Sequence, residues 1–325
     1  MKAAVEVARS PKSRVLYRSP RRVYPVAERA SGMTITDTAG RSYLDMSGGA
    51  AVSSVGHAHP AVIAAVQQQL QTLAFAHTSF FTNDPQEQLA SRLCDRFGDP
   101  DALVYFLSGG SEANETALKL AWQYWAARGR PGKKIIISRE HSYHGNTFGA
   151  LSVSGNEQRR RASASPLVEW PRIPPCYDYR ERGSDESSES YALRAAGYLE
   201  DAITAAGSDN VAAFIAEPIV GSSLGVVPSV PGYFERIRDI CDRHEILLIA
   251  DEVMCGSGRT GRYFAFEYEP VRPDIATLAK GIGGGFPVGV CLATERAAAG
   301  MTAGSHGSTY GGNPLAMAVA SAVMD

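Results

Sequence analysis

Asp251 and Lys280 are the residue types in this sequence best placed to do chemistry together. Asp251 closes the apolar run Ile246-Leu247-Leu248-Ile249-Ala250. Lys280 closes Ile275-Ala276-Thr277-Leu278-Ala279 and opens into Gly281-Ile282-Gly283-Gly284-Gly285. Short unbroken apolar runs read as strands buried on both faces of a parallel sheet, and ligands of open α/β sheets bind at the carboxyl ends of such strands. A charge at a buried strand end is costly unless it has a partner or a task. An amine able to condense with a carbonyl, beside a carboxylate able to keep a pyridinium nitrogen protonated, is what pyridoxal phosphate (PLP) chemistry requires.

Two further motifs fit that chemistry. Ser108-Gly109-Gly110-Ser111 follows the apolar run 103–107 and precedes a helical pattern bearing Ala117, Leu120, Ala121 and Tyr124 on one face. Glycines admit close backbone approach, and a helix N-terminus offers free N–H groups to a phosphate. The Gly-Lys-Ser/Thr of a nucleotide P-loop is absent. Tyr143, in His141-Ser142-Tyr143-His144-Gly145, sits just past another strand pattern, where an aromatic ring can stack on a flat heterocycle. His57 and His59 have no neighbouring Cys or carboxylate to complete a metal set, so no metal is expected.

The elements that must position these residues alternate. Strand patterns fall at 103–107, 134–138, 211–216, 246–250, 275–279 and 288–293, and helical patterns at 112–127, 192–206 and 232–244. That alternation predicts an α/β fold with a mostly parallel sheet. Upstream, residues 24–55 read as short strands and turns. Pro60 opens a helix with an apolar face of Ile63, Val66, Leu70 and Leu73, and Asp84 caps a second with Pro85 and Glu87 in its first turn. The stretch 156–190, with Arg159-Arg160-Arg161 and a Ser/Glu tract, carries no periodicity and reads as a long surface excursion, with a lining role near the site as the alternative. Asn313 and Pro314 start a last helix that runs to Asp325 without a C-cap glycine.

Composition narrows the class. Hydrophobic residues are 44% and charged residues 20% of the 325, which excludes wholesale disorder. A net charge of −2 gives no general attraction to nucleic acid or to an acidic membrane. No apolar run is long enough to span a bilayer. Five scattered cysteines without a Cys-x-x-Cys pair indicate a reducing compartment, hence a cytoplasmic protein. The basic N-terminus, from Lys2 to Arg22, lacks an apolar core for a secretory signal and reads as a solvated or subunit-contacting arm, with an organelle transit peptide as the alternative.

The ordered set SGGSEANE (108–115), HSYHGNT (141–147), AEPIVG (216–221), LIADEVMCGSGRTGRYFAFE (248–267), LAKGIGGGFPVG (278–289) and HGSTYGGNP (306–314) resembles the class III aminotransferases. The resemblance covers about Tyr24 to Asp325 and implies the PLP-dependent type I fold. It places an N-terminal segment at 1–55, the PLP-binding large domain at 56–312, and at 313–325 the start of a helix leading to a small C-terminal domain that is largely missing. It also implies roles. Lys280 would carry the cofactor as a Schiff base and shuttle the proton, and Asp251 would hold the pyridine nitrogen. Gly110 and Ser111 would bind phosphate, Tyr143 and Val253 would flank the ring, and Thr309 would reach the phosphate of the neighbouring subunit in a homodimer with shared sites.

The motifs from 275 onward look most like acetylornithine and ornithine aminotransferases, the earlier ones like the ω-amino-acid:pyruvate group. The former use an arginine where Asn146 stands and a second glutamate where Ser222 stands. Asn cannot supply the bidentate, charge-assisted grip of Arg. The expected reaction is therefore transfer from a primary amine or ω-amino acid to pyruvate or another 2-oxo acid. The alternatives are an acetylornithine- or ornithine-type aminotransferase, and a truncated, catalytically weak relative acting as a binding partner through Leu315, Val319 and Val323 exposed on the last helix.

Overall fold

The computed structural model describes residues 13–19 and 22–325, so much of the expected basic arm, including Lys2, Arg9, Lys12 and Arg21, lies outside the described residues. The centre is a seven-stranded sheet. Its strand order is Leu103–Leu107, Gly289–Ala293, Ile275–Leu278, Leu247–Asp251, Val211–Ala216, Ile135–Arg139 and Arg172–Ile173. Only Gly289–Ala293 runs antiparallel to its neighbours.

Strand periodicity sorts the core into layers, because alternate side chains point to opposite faces. Leu247, Ile249 and Ile275 pack with Ala213 and Ile215 against Ala117, Ala121 and Tyr124 of the helix Gly110–Ala127. On the other face, Phe214 and Leu248 meet the helices Ser188–Ala206 and Tyr233–Arg243. Ala276, Leu278, Val290 and Leu292 meet the helices Asp84–Phe97 and Pro314–Met324. Ile215 and Ile249 are wholly buried, each burial worth about 1.5–3 kcal/mol. The same alternation puts Asp251 on the face of Leu247 and Ile249, toward the helix Gly110–Ala127.

Several expectations are corrected. The strand Arg172–Ile173 and the short helix Glu157–Arg161 interrupt the stretch read as irregular, and the next helix begins at Ser188 rather than 192. The cap of Asp84–Phe97 is Asn83, whose side chain accepts from Gln86 N, so the capping motif lies one residue earlier. The last helix does not present an apolar surface: Val319 is buried and Leu315 and Val323 are partly covered, because the helix packs on Pro60–Thr72 and Asp84–Phe97. The exposed face belongs instead to the helix Pro60–Thr72, where Ile63 and Leu70, with Leu73 just past its end, are open to solvent. The five cysteines are free and buried, and among the described residues no helix is long and apolar enough to cross a membrane.

Candidate active site

Adjacent parallel strands bring the two reactive residues to one end of the sheet. Asp251 is in register with Thr277, three residues before Lys280, and Asp251 and Lys280 both line a cavity of about 510 Å³. Lys280 has φ +50°, a left-handed conformation uncommon for a residue with a Cβ and one that concentrates at functional sites.

Asp251 is buried and fully partnered. Oδ2 accepts from Asn114 Nδ2 at 2.8 Å and meets His144 Nδ1 at 2.7 Å, while Oδ1 accepts from Val253 N at 3.0 Å. Asn114 in turn accepts from Thr277 Oγ1 and donates to His144 O, at 2.8 and 2.6 Å. Helix, loop and two strands thus meet at one carboxylate, which offsets the cost of burying its charge. His144 Nε2 is buried without a protein partner.

Gly110 and Ser111 open the helix Gly110–Ala127 at the rim of the same cavity. Of the first-turn amides, Ala113 N returns to Gly109 O, and those before it have no intrahelical acceptor. A Cβ on Gly110 would lie 2.7 Å from Val253 Cγ1, so glycine is the residue that lets this turn approach Val253. Ser111 Oγ accepts from Asn146 N at 2.9 Å, leaving the hydroxyl proton available. Tyr143 lines the cavity, its backbone N donating to Glu217 Oε1 at 3.0 Å, while Gly221 N donates to Glu217 Oε2 at 2.9 Å. Burial pushes the Glu217 carboxyl up from its ordinary range; nearby His144 opposes this and the Asp251 charge adds to it.

Behind the cavity lies a second acid. Glu252 accepts from Ala265 N at 2.9 Å and Phe266 N at 2.8 Å, and Cys255 Sγ is 3.3 Å away. Burial pushes it up to about 7, against the lowering effect of the two amides.

Of the residues singled out in the sequence, Gly110, Ser111, Tyr143, Asp251, Val253 and Lys280 line one cavity. Thr309 does not join them: it lines a separate cavity of about 340 Å³ with Glu112, Glu115 and His306, and Ser108 borders both. His57 Nε2 pairs with Asp45 Oδ2 at 2.9 Å, and no group of three or more metal-binding side chains converges among the described residues. Sequence reasoning assigned no role to Asn114, His144 or Glu217, and reached Arg159 only through the alternative that 156–190 lines the site. Asn114 left a signal, as a polar residue in line with Ala117 and Ala121 on a buried helical stripe.

The sequence profile described as Aminotransferase class-III matches residues 17–325. The chain belongs to the class III aminotransferases. Within that family it is 39% identical over 306 residues to the uncharacterized aminotransferase YodT of Bacillus subtilis, covering 93% of this chain and 68% of the relative. It is 42% identical over 300 residues to acetylornithine aminotransferase of Agrobacterium fabrum, covering 92% and 68%. An uncharacterized aminotransferase of Schizosaccharomyces pombe is 39% identical over 287 residues, and there this class III chain spans 62% of the relative's length and 88% of its own. Among solved structures, the omega transaminase from Pseudomonas jessenii in complex with PMP superposes with a TM-score of 0.88 at 34% identity, covering 93% of this chain and 68% of that one.

Proposed function

We propose that the protein is a PLP-dependent aminotransferase that moves an amino group from a primary amine or ω-amino acid to pyruvate or another 2-oxo acid. The observation that carries this reading is the pairing, on one cavity, of Lys280 with a buried Asp251 held by three donors. The surrounding residues suit the cofactor: an N-terminal helix turn open to phosphate, a glycine that clears Val253, an aromatic side chain on the wall, and an acid already desolvated.

When bound, PLP supplies an aldehyde to take up the amine and an electron-withdrawing ring. Lys280 Nζ would hold the cofactor and would serve as the base that moves a proton at the substrate carbon. Asp251 holds the proton on the ring nitrogen. Its oxygens are fixed by Asn114, His144 and Val253 N, so the carboxylate keeps one position for that task. Amides at Gly110 and Ser111, with the Ser111 hydroxyl, hold the phosphate. Tyr143 and Val253, both on the cavity wall, would pack against the ring. Thr309, outside the cavity of its own chain, serves the phosphate of a neighbouring copy in a cytoplasmic homodimer. Acetylornithine-type chemistry is the second reading, favoured by the 42% identity to the Agrobacterium fabrum enzyme and opposed by Asn146.

The test is spectroscopic. With PLP, an amine donor alone should bleach the visible band of the bound cofactor, and pyruvate should restore it. Lys280→Ala should lose multiple turnover; retained turnover would refute the assignment.

A further inference from the structure

Two arginines on the cavity wall, Arg18 and Arg159, have no task in the chemistry above, and of these Arg159 is stacked on a wall residue. Arg159 lines the Lys280 cavity, and its guanidinium carbon lies 4.3 Å from the centroid of the Tyr143 ring. Its backbone is pinned. Asn156 accepts from Arg159 N at 3.1 Å and reaches Ser223 Oγ through Nδ2 at 3.3 Å. The next residue, Arg160, is buried, donates to the carbonyls of Leu151 and Ser152, and pairs with Glu169.

Nearby acids do not claim Arg159. Glu157 and Glu169 face Arg160 and Arg172. The two carboxylates on the cavity wall are engaged elsewhere, Glu217 by the amides of Tyr143 and Gly221, and Asp251 by Asn114, His144 and Val253 N. A guanidinium stacked on an aromatic ring uses its π face and keeps its N–H fork free in the plane, the geometry that grips a carboxylate with two hydrogen bonds.

We infer that Arg159 is a specificity-determining residue that binds the substrate carboxylate, so that the site selects ω-amino acids over neutral amines. This rests on the aminotransferase reading and narrows its donor class. Tyr143 holds the guanidinium over the cavity, so one aromatic side chain would serve the cofactor ring and the arginine at once.

The experiment compares the PLP-loaded protein with Arg159→Gln and Arg159→Lys in the donor half-reaction, followed by bleaching of the visible band. The donors are β-alanine and 3-methylbutylamine, which carries an isopropyl group where the acid carries its carboxylate. Arg159→Gln should raise the half-saturating β-alanine concentration roughly 10-fold or more and leave 3-methylbutylamine within about 2-fold. Arg159→Lys should fall between. Calorimetric binding of propionate should weaken in parallel. Equal losses for both donors would mean that Arg159 acts only through Tyr143, and an unchanged β-alanine response would remove it from recognition; either overturns the inference. Absence of bleaching by both donors in the wild type, with propionate binding still dependent on Arg159, would instead sink the aminotransferase reading and leave the carboxylate site standing.

Discussion

Gly110→Ala is a one-carbon perturbation whose effect can be worked from the structure. The added methyl would sit 2.7 Å from Val253 Cγ1, 3.1 Å from Val253 Cγ2 and 3.5 Å from Ala279 Cβ. The last is ordinary contact, while the first two require Val253 to move or the turn to retreat. Val253 is tied by its backbone N to Asp251 Oδ1 at 3.0 Å, and the turn abuts the strand end at Leu107, so neither yields freely. Overpacking of this kind costs about 1–3 kcal/mol. If all of it opposes cofactor binding, affinity falls roughly 5- to 150-fold.

The assay is PLP affinity by fluorescence quenching, with thermal unfolding of the cofactor-free chain alongside. Val253→Ala removes both Cγ atoms and should cancel most of the penalty in the double variant, giving a coupling energy of about 1 kcal/mol or more. Wild-type affinity and stability in Gly110→Ala, or additive losses in the double variant, would refute the reasoning that Val253 is why glycine stands there.

Two other outcomes follow from the same geometry. Glu252 titrates near 7 when folded against an ordinary 4.5, so the folded state keeps a proton that the unfolded chain releases between those values. Its contribution to stability therefore falls as pH rises from about 4.5 to 7 and is flat above, a change of roughly 3 kcal/mol. Urea unfolding of Glu252→Gln should show that part of the pH slope removed, and an unchanged slope would rule it out. For the shared site, co-assembling a Thr309→Ala subunit with a Lys280→Ala subunit puts both lesions in one site and neither in the other, so turnover should partly return; no recovery despite proven subunit exchange would refute sharing.

The large features were legible because they are local. A strand buried on both faces is a continuous apolar run, and the strands Leu247–Asp251 and Ile275–Leu278 declare themselves within five and four residues. A charge at the end of such a run is visible in the same window. Arg172–Ile173 was not visible, since two residues hold no period and pairing with Ile135–Arg139 alone makes them a strand. Asn83 and Asp84 are both good caps side by side, and the backbone geometry decides between them. The exposed face of Pro60–Thr72 reads from sequence like any core face, because periodicity reports amphipathicity and not what covers it.

The arginine triplet shows the limit most sharply. Arg159, Arg160 and Arg161 are one charge run to a sequence reader, yet the fold buries Arg160, leaves Arg161 to solvent and sets Arg159 against Tyr143 on the cavity wall. Successive residues on a helical turn point about 100° apart, so three identical neighbours must meet three environments. The Asp251 cluster has the same character. The cost of burying its charge is written locally, at the end of an apolar run, but the groups that offset it, His144 and Asn114, lie 107 and 137 residues away in sequence. A local pattern can therefore reveal that a charge needs partners while leaving their identity to the topology, which brings a helix start and a strand-end loop over the same carboxylate.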